Sequence, residues 1–196
     1  MVRVMGYRTS MMGTLRERLE RIKTMADPLQ RKLWALAIVT KGLEPAGLRP
    51  ILIGGTALEY YSLGGYATSD VDIALPYDPA VDRVFAELDF KKEGRYWVND
   101  ELDLLFEAPA GILKGEDAEL TKVSLDDLVC YVLGLEDLII DRLNGYVHWK
   151  WEDDGRWVRR LVHLYRPELD IEYLRRRANQ EKTIEALETI LKEEGV

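Results

Sequence analysis

The sequence predicts an α+β fold: a mixed sheet preceded by N-terminal helices and followed by a C-terminal helical bundle. Three observations predict it. Apolar residues recur at helical spacing in residues 14–43. Short apolar or alternating runs, separated by glycine, proline and Asn-Asp turns, fill the middle. From Leu135 onward only helical periodicity is found. The implied division is an N-terminal helical extension (1–48), an α+β core (49–134) and a C-terminal helical region (135–196).

In chain order, Thr14–Met25 places Leu15, Leu19, Ile22 and Met25 on one helical face. Asp27-Pro28 reads as N-cap and first turn of a second helix running through Leu29, Leu33, Leu36 and Leu43, closed by Gly47 and Pro50. Ile51–Ile53 is a short buried strand, broken by Gly54-Gly55, with Thr56–Leu63 a short helix ended by Gly64-Gly65. Asp70–Leu75 alternates with period two, a second strand. Pro79–Leu88 reads as a helix, and Phe90–Glu107 as strands around a turn at Asn99-Asp100, with Leu102, Leu104 and Phe106 on one face. Glu119–Leu125 and Leu128–Leu133 are further strands. Helices are expected at 135–148, 153–165 and 170–194, the last with a break.

Composition excludes several classes. Of 196 residues, 47% are hydrophobic and 32% charged, the balance of a soluble globular chain rather than a disordered or fibrous one. No run approaches the ~18 apolar residues of a spanning helix, so no membrane association is expected. The N-terminus is basic without an apolar h-region, unlike a secretory signal. The single cysteine, Cys130, forbids an internal disulfide or thiolate zinc site and fits a reducing cytoplasm. Only five Asn and Gln accompany abundant Glu, Lys and Arg, a thermophilic bias. The net charge of −8 is segregated, at +6 in residues 1–50, −14 in 51–141, +3 in 142–177 and −3 in the tail.

The chemistry sits in the acidic middle. Asp70 and Asp72, two apart on a strand, project from the same side, and paired carboxylates suit a hard divalent cation. Alone the pair is a weak signal; its surroundings strengthen it. Upstream, Ile51-Leu52-Ile53-Gly54-Gly55-Thr56 is a strand running through two glycines into a helix, where backbone amides can approach a phosphate. Asp103, on the expected neighbouring strand and opposite in face to Leu102 and Leu104, offers a third carboxylate. Three carboxylates from adjacent strands beside a phosphate-cradling turn make a two-metal phosphoryl-transfer site.

In these residues the chain resembles the nucleotidyltransferase superfamily, the fold shared by DNA polymerase beta and tRNA-CCA-adding enzymes. It is most similar to the small prokaryotic nucleotidyltransferases that include the toxins of type IV toxin–antitoxin systems. The motifs are Gly54-Gly55-Thr56-Ala57-Leu58, then Tyr66-Ala67-Thr68-Ser69-Asp70-Val71-Asp72, then Asp103. Tyr66 stands where that group has an arginine, Arg142 where it has a lysine, and Asp153 where a second lysine is usual. The resemblance implies a nucleotidyltransferase fold and transfer of a nucleoside monophosphate from an NTP to a hydroxyl of RNA, protein or a small molecule. It implies that Asp70, Asp72 and Asp103 hold Mg²⁺ (or Mn²⁺), with Asp103 also a general base. Gly54, Gly55, Thr56, Thr68, Arg142 and Lys150 are the implied nucleotide contacts, and a cognate antitoxin or small partner protein is an implied partner. The competing expectation is a non-catalytic nucleotide-binding or interaction module of a toxin–antitoxin-like system.

Other features carry weaker expectations. Arg156, Arg159, Arg160 and His163 share a helical face near Trp149, Lys150, Trp151 and Trp157, either a nucleic-acid stripe or a solvated face paired with Glu152, Asp153 and Asp154. Arg175-Arg176-Arg177 reads as a solvated face. His148 and His163 lack ligand-spaced partners, Cys130 reads as a buried small hydrophobe, and Tyr60-Tyr61-Ser62 reads as core packing.

Overall fold

The structure, a computed structural model, describes residues 13–110 and 119–196. The basic N-terminal segment that is unlike a secretory signal lies outside the described residues. Seven strands form one mixed sheet in the order β3-β4-β5-β2-β1-β7-β6, accompanied by eight α-helices among the described residues. The α+β class is thus present, with the sheet in the middle of the sequence and helices at both ends.

The chain forms two compact units. The first holds the described residues up to Leu52, Ser69 to Ala110, and Lys122 to Tyr131. It begins with α1 (Leu15–Arg21), capped by Thr14, whose hydroxyl accepts from the Glu17 amide while the Glu17 carboxylate accepts from the Thr14 amide. Helix α2 (Pro28–Leu43) starts on the Asp27 cap with Pro28 in its first turn, as its sequence predicts. Leu33, Leu36, Ala37, Ile38 and Val39 are all buried, so α2 is a core helix enclosed on most sides. Strand β1 (Ile51–Leu52) pairs antiparallel with β2 (Asp70–Ala74). After α4 (Pro79–Glu87) come β3 (Lys91–Glu93), β4 (Tyr96–Asn99) and β5 (Leu104–Ala110).

The β3–β4 hairpin turns on Gly94-Arg95, a turn not expected from the sequence; Gly94 takes φ +60° at the first central position, where a II′-type turn needs it. β4 then pairs antiparallel with β5, and β5 pairs parallel with β2. Phe85 stacks on Trp97 at 4.5 Å and meets Phe90 and Phe106 at 5.3 Å, filling the space between α4 and this part of the sheet. Strands β6 (Leu120–Leu125) and β7 (Leu128–Leu133) follow, joined through Asp126-Asp127.

The second unit holds Ile53–Thr68, Glu119–Thr121 and Val132–Val196. It contains α3 (Gly54–Tyr61), α5 (Leu135–His148), α6 (Glu152–Tyr165), α7 (Ile171–Gln180) and α8 (Ile184–Glu193). α5 and α6 approach closely because Gly145 and Gly155 carry no side chain: a Cβ at Gly155 would lie 2.6 Å from the Tyr146 ring, and one at Gly145 would overlap Asp154. Tyr61 donates to the Leu133 carbonyl at 3.0 Å, and Tyr165 donates to the Tyr61 carbonyl at 3.0 Å. Tyr173 donates to Asp137 at 2.8 Å, and Arg177 donates to the same carboxylate, tying α7 to α5. No helix among the described residues is long and apolar enough to cross a membrane.

Two outcomes test this packing. Phe106→Ala removes a fully buried ring from the aromatic cluster and should cost ~3–5 kcal/mol in denaturant unfolding. Burial, and then the hydrogen bond to Asp137, push the Tyr173 phenol up to about 12. The folded state therefore holds this proton more tightly than the unfolded chain, whose phenol titrates near ~10. The stabilisation is complete below pH ~10 and should fade between pH ~10 and 12, and in Tyr173→Phe the alkaline loss should be shallower across that window.

Candidate functional site

The candidate centre lies where β2 and β5 run parallel. The register aligns Asp70 with Leu105, Val71 with Phe106 and Asp72 with Glu107. Period-two alternation buries Val71 and Ile73 on one face and turns Asp70 and Asp72 to the other. Aligned residues on paired strands share a face, so the buried Val71–Phe106 layer dictates that Glu107 joins the two aspartates. Ligand oxygens of Asp70, Asp72 and Glu107 lie within 4.8 Å of one another, and the three could hold a metal ion.

The fit to a hard cation is close. Oxygens ligating Mg²⁺ at ~2.1 Å stand ~3 Å apart when adjacent and ~4.2 Å when opposite, so small rotations bring this trio to bonding distance. An all-carboxylate set is also the donor type such ions select over softer metals.

Asp103 is not a member of this cluster. It occupies the turn before β5, exposed, with φ +52°, its amide bonded to the Asp100 carbonyl. The expectation that Asp103 supplies the third carboxylate is corrected: Asp103 lies in the turn before β5, and the carboxylate beside Asp70 and Asp72 is Glu107, on β5 itself. A signal for Glu107 was present: a lone carboxylate in Leu104-Leu105-Phe106-Glu107-Ala108, out of phase with the buried Leu104 and Phe106.

Glu107 has a partner that sequence spacing did not reveal. Tyr96 on β4 is its register partner, and the preceding hairpin residue, Arg95, places its Nε 3.0 Å from Glu107 Oε1. The guanidinium also donates to the Tyr96 hydroxyl at 2.6 Å, and Asp72 adds to the negative field around it. The Glu107 side chain is only 9% exposed while that of Arg95 is 69% exposed. A carboxylate buried to that degree requires a cation or donors to offset its lost hydration.

In the second unit the expected phosphate contacts are adjacent to one another. Gly54 and Gly55 are the first residues of α3 rather than a loop before it, Gly54 has φ +61°, and Ile53 gives the helix no side-chain cap. The first-turn amides of such a helix are an anion-favouring end. Gly55 lies against Thr68, whose side chain a Cβ at that position would meet at 3.2 Å. Thr56 is buried at the same turn.

Arg142 and Lys150 are placed differently. The Arg142 guanidinium donates to Asp154 at 3.2 Å and to Asp141 at 2.9 Å, so its charge is already shared by two carboxylates. Burial raises the Asp154 carboxyl, against the opposing pull of Arg142. Lys150, with φ +59°, separates the exposed Trp149 and Trp151, whose rings stack at 5.7 Å. It borders a groove of about 670 Å³ with Lys182 and Glu185.

The basic stripe is largely committed to neighbours. Arg156 pairs with Asp153, Arg159 with Glu193 at 2.8 Å and His163 with Glu194 at 3.0 Å, while Arg160 lies over the Trp157 ring. Arg175 pairs with Glu188 at 2.7 Å. These are the surface pairs of a solvated helical face. Cys130 is buried, and that burial pushes its thiol up to about 12.

No protein-family model and no curated protein matches this chain.

Metal binding predicts a stability shift. An ion held at ~100 times its Kd adds ~2.7 kcal/mol, and ~2–4 °C per kcal/mol for a chain of this size gives a rise in Tm of roughly 5–10 °C. Mn²⁺ or Mg²⁺ should produce that rise in the wild-type protein by differential scanning fluorimetry. The Asp70→Asn/Asp72→Asn variant should show almost none.

Proposed function

We propose that the chain is a Mg²⁺- or Mn²⁺-dependent nucleotidyltransferase of the DNA polymerase beta-like fold. It would transfer a nucleoside monophosphate from an NTP to a hydroxyl on RNA, protein or a small molecule. The observation that carries the reading is the convergence of Asp70 and Asp72 on β2 with Glu107 on the parallel neighbour β5, within 4.8 Å. Surface carboxylates repel one another. A sheet register that holds three carboxylates together on one face supplies the oxygen donor set that a divalent cation takes.

In this reading Asp70, Asp72 and Glu107 are the metal ligands. Bound there, Mg²⁺ or Mn²⁺ would neutralise triphosphate charge and lower the pKa of the attacking hydroxyl. A carboxylate oxygen of the trio accepts the hydroxyl proton. The acceptor oxygen then bonds the α-phosphorus as the α–β phosphoanhydride bond breaks and pyrophosphate leaves. Phosphate contacts by Gly54, Gly55, Thr56 and Thr68 are what the family resemblance implies. The chain's own contribution is positioning and electrostatics, which dominate phosphoryl transfer. Arg142, already shared between Asp141 and Asp154, is given no direct role.

The test is transfer of label from each α-³²P nucleoside triphosphate, with Mg²⁺ or Mn²⁺, onto RNA, protein or small molecules of a cell extract. Asp70→Ala/Asp72→Ala should abolish it, and Glu107→Gln should lower it by ~10²-fold or more, in line with several kcal/mol of lost charge stabilisation. Asp103→Ala should stay within about threefold of wild type, because Asp103 is outside the cluster. Carboxylate-dependent nucleotide binding without transfer to any acceptor would instead establish the non-catalytic binding module.

A further inference from the structure

The Arg95–Glu107 pair unites two unequal partners. Glu107 is fixed in a strand between β2 and β4, its carboxylate largely withdrawn from water. Arg95 stands on a two-residue hairpin turn with a long side chain that is mostly solvated. Breaking the pair costs the arginine little, because its guanidinium returns to water; it costs the glutamate much, unless another cation takes over. Glu107 is therefore the stationary charge and Arg95 the exchangeable one. Tyr96 holds the guanidinium at the rim, through the 2.6 Å hydrogen bond and the ring face 4.9 Å away. Even after giving up Glu107, Arg95 stays beside the carboxylate cluster.

We propose that Arg95 contests Glu107 with the divalent ion and, once displaced, becomes a contact to the substrate's phosphates. The inference rests on the metal-site reading above and adds a residue with two opposed effects. Toward a bare divalent cation Arg95 is a competitor and a like charge. Toward a metal–polyphosphate complex it is an attractive fork, suited to two phosphate oxygens at once. A unit charge removed from ~6 Å of a dication changes affinity by about tenfold even at water's dielectric constant. The two effects predict opposite signs for one substitution, which an arginine serving only to stabilise the hairpin would not produce.

The experiment measures Mn²⁺ binding by electron paramagnetic resonance, and binding of Mn²⁺–tripolyphosphate by calorimetry. The proteins are wild type, Arg95→Gln, Arg95→Lys and Asp70→Asn/Asp72→Asn, each checked by circular dichroism to be folded without metal at the assay temperature, where Arg95→Gln should show a lowered unfolding midpoint because Glu107 loses its partner. Arg95→Gln should bind Mn²⁺ alone roughly three- to tenfold more tightly and Mn²⁺–tripolyphosphate roughly three- to tenfold more weakly. Arg95→Lys, which keeps the charge and loses the fork, should fall between wild type and Arg95→Gln for tripolyphosphate. If Mn²⁺ binding depends on Asp70 and Asp72 but Arg95→Gln leaves it unchanged or weaker, the Arg95 inference is overturned and the metal site stands. Binding of tripolyphosphate by Arg95→Gln as tight as that of wild type overturns it equally. If wild type shows no carboxylate-dependent Mn²⁺ binding, the metal-site reading falls, and this inference with it.

Discussion

The parallel pairing of β2 with β5 is the constraint on which the candidate site depends. Its register is set on the face away from the carboxylates, where Val71 and Phe106 are buried side by side and Phe106 meets Phe85 and Phe90. Slipping the pairing by one residue would send Phe106 to solvent and Glu107 into the aromatic core. Either change is costly enough to be excluded. The apolar layer thus fixes the acidic layer. Asp72 and Glu107 are neighbours because Phe106 must be inside.

That dependence explains which parts of the molecule were legible in the sequence. The start of α2 was legible because it is local chemistry: Asp27 and Pro28 cap it within two residues, and the Thr14–Glu17 and Asp78 caps that the structure shows are of the same local kind. The strand at Asp70–Ala74 was legible from period-two alternation and that at Leu128–Leu133 from its short apolar run. The aspartate pair and its face were legible from period two. The third carboxylate was not, because which rung of β5 lies beside Asp72 is decided by the fit of two distant strands. The alternation around Glu107 marks its face but not the rung it occupies beside β2. Arg95 was hidden for the same reason: its relation to Glu107 needs both the Gly94-Arg95 turn and the β4–β5 register.

The segregated charge also acquires a structural account. Much of the basic N-terminal stretch meets the acidic middle: Arg16 pairs with Asp89 at 2.6 Å, Arg18 with Asp127 at 2.9 Å and Lys23 with Glu101 at 2.5 Å. The Arg18–Asp127 pair is two-pronged, with both guanidinium nitrogens donating, and links α1 to the β6–β7 turn. A +6 flank beside a −14 middle therefore reads first as cross-chain neutralisation. Polyanion binding by the flanks is not needed to explain it. In the second unit, likewise, Arg156, Arg159 and Arg175 are matched by carboxylates.

Against that background the β2–β5 cluster stands out by its density of negative charge. Elsewhere in the first unit acidic groups stand beside basic ones, as in Arg16–Asp89, Lys92–Asp82 and Lys23 with Glu20 and Glu101. At the cluster three carboxylates converge, and the guanidinium paired with Glu107 is itself mostly in water. The backbone cannot relieve the mutual repulsion without giving up the register that buries Phe106. The sheet therefore fixes three carboxylates at one point of its polar face. Such a set of oxygen donors could hold a divalent cation, which is compact enough to be shared by three side chains at once.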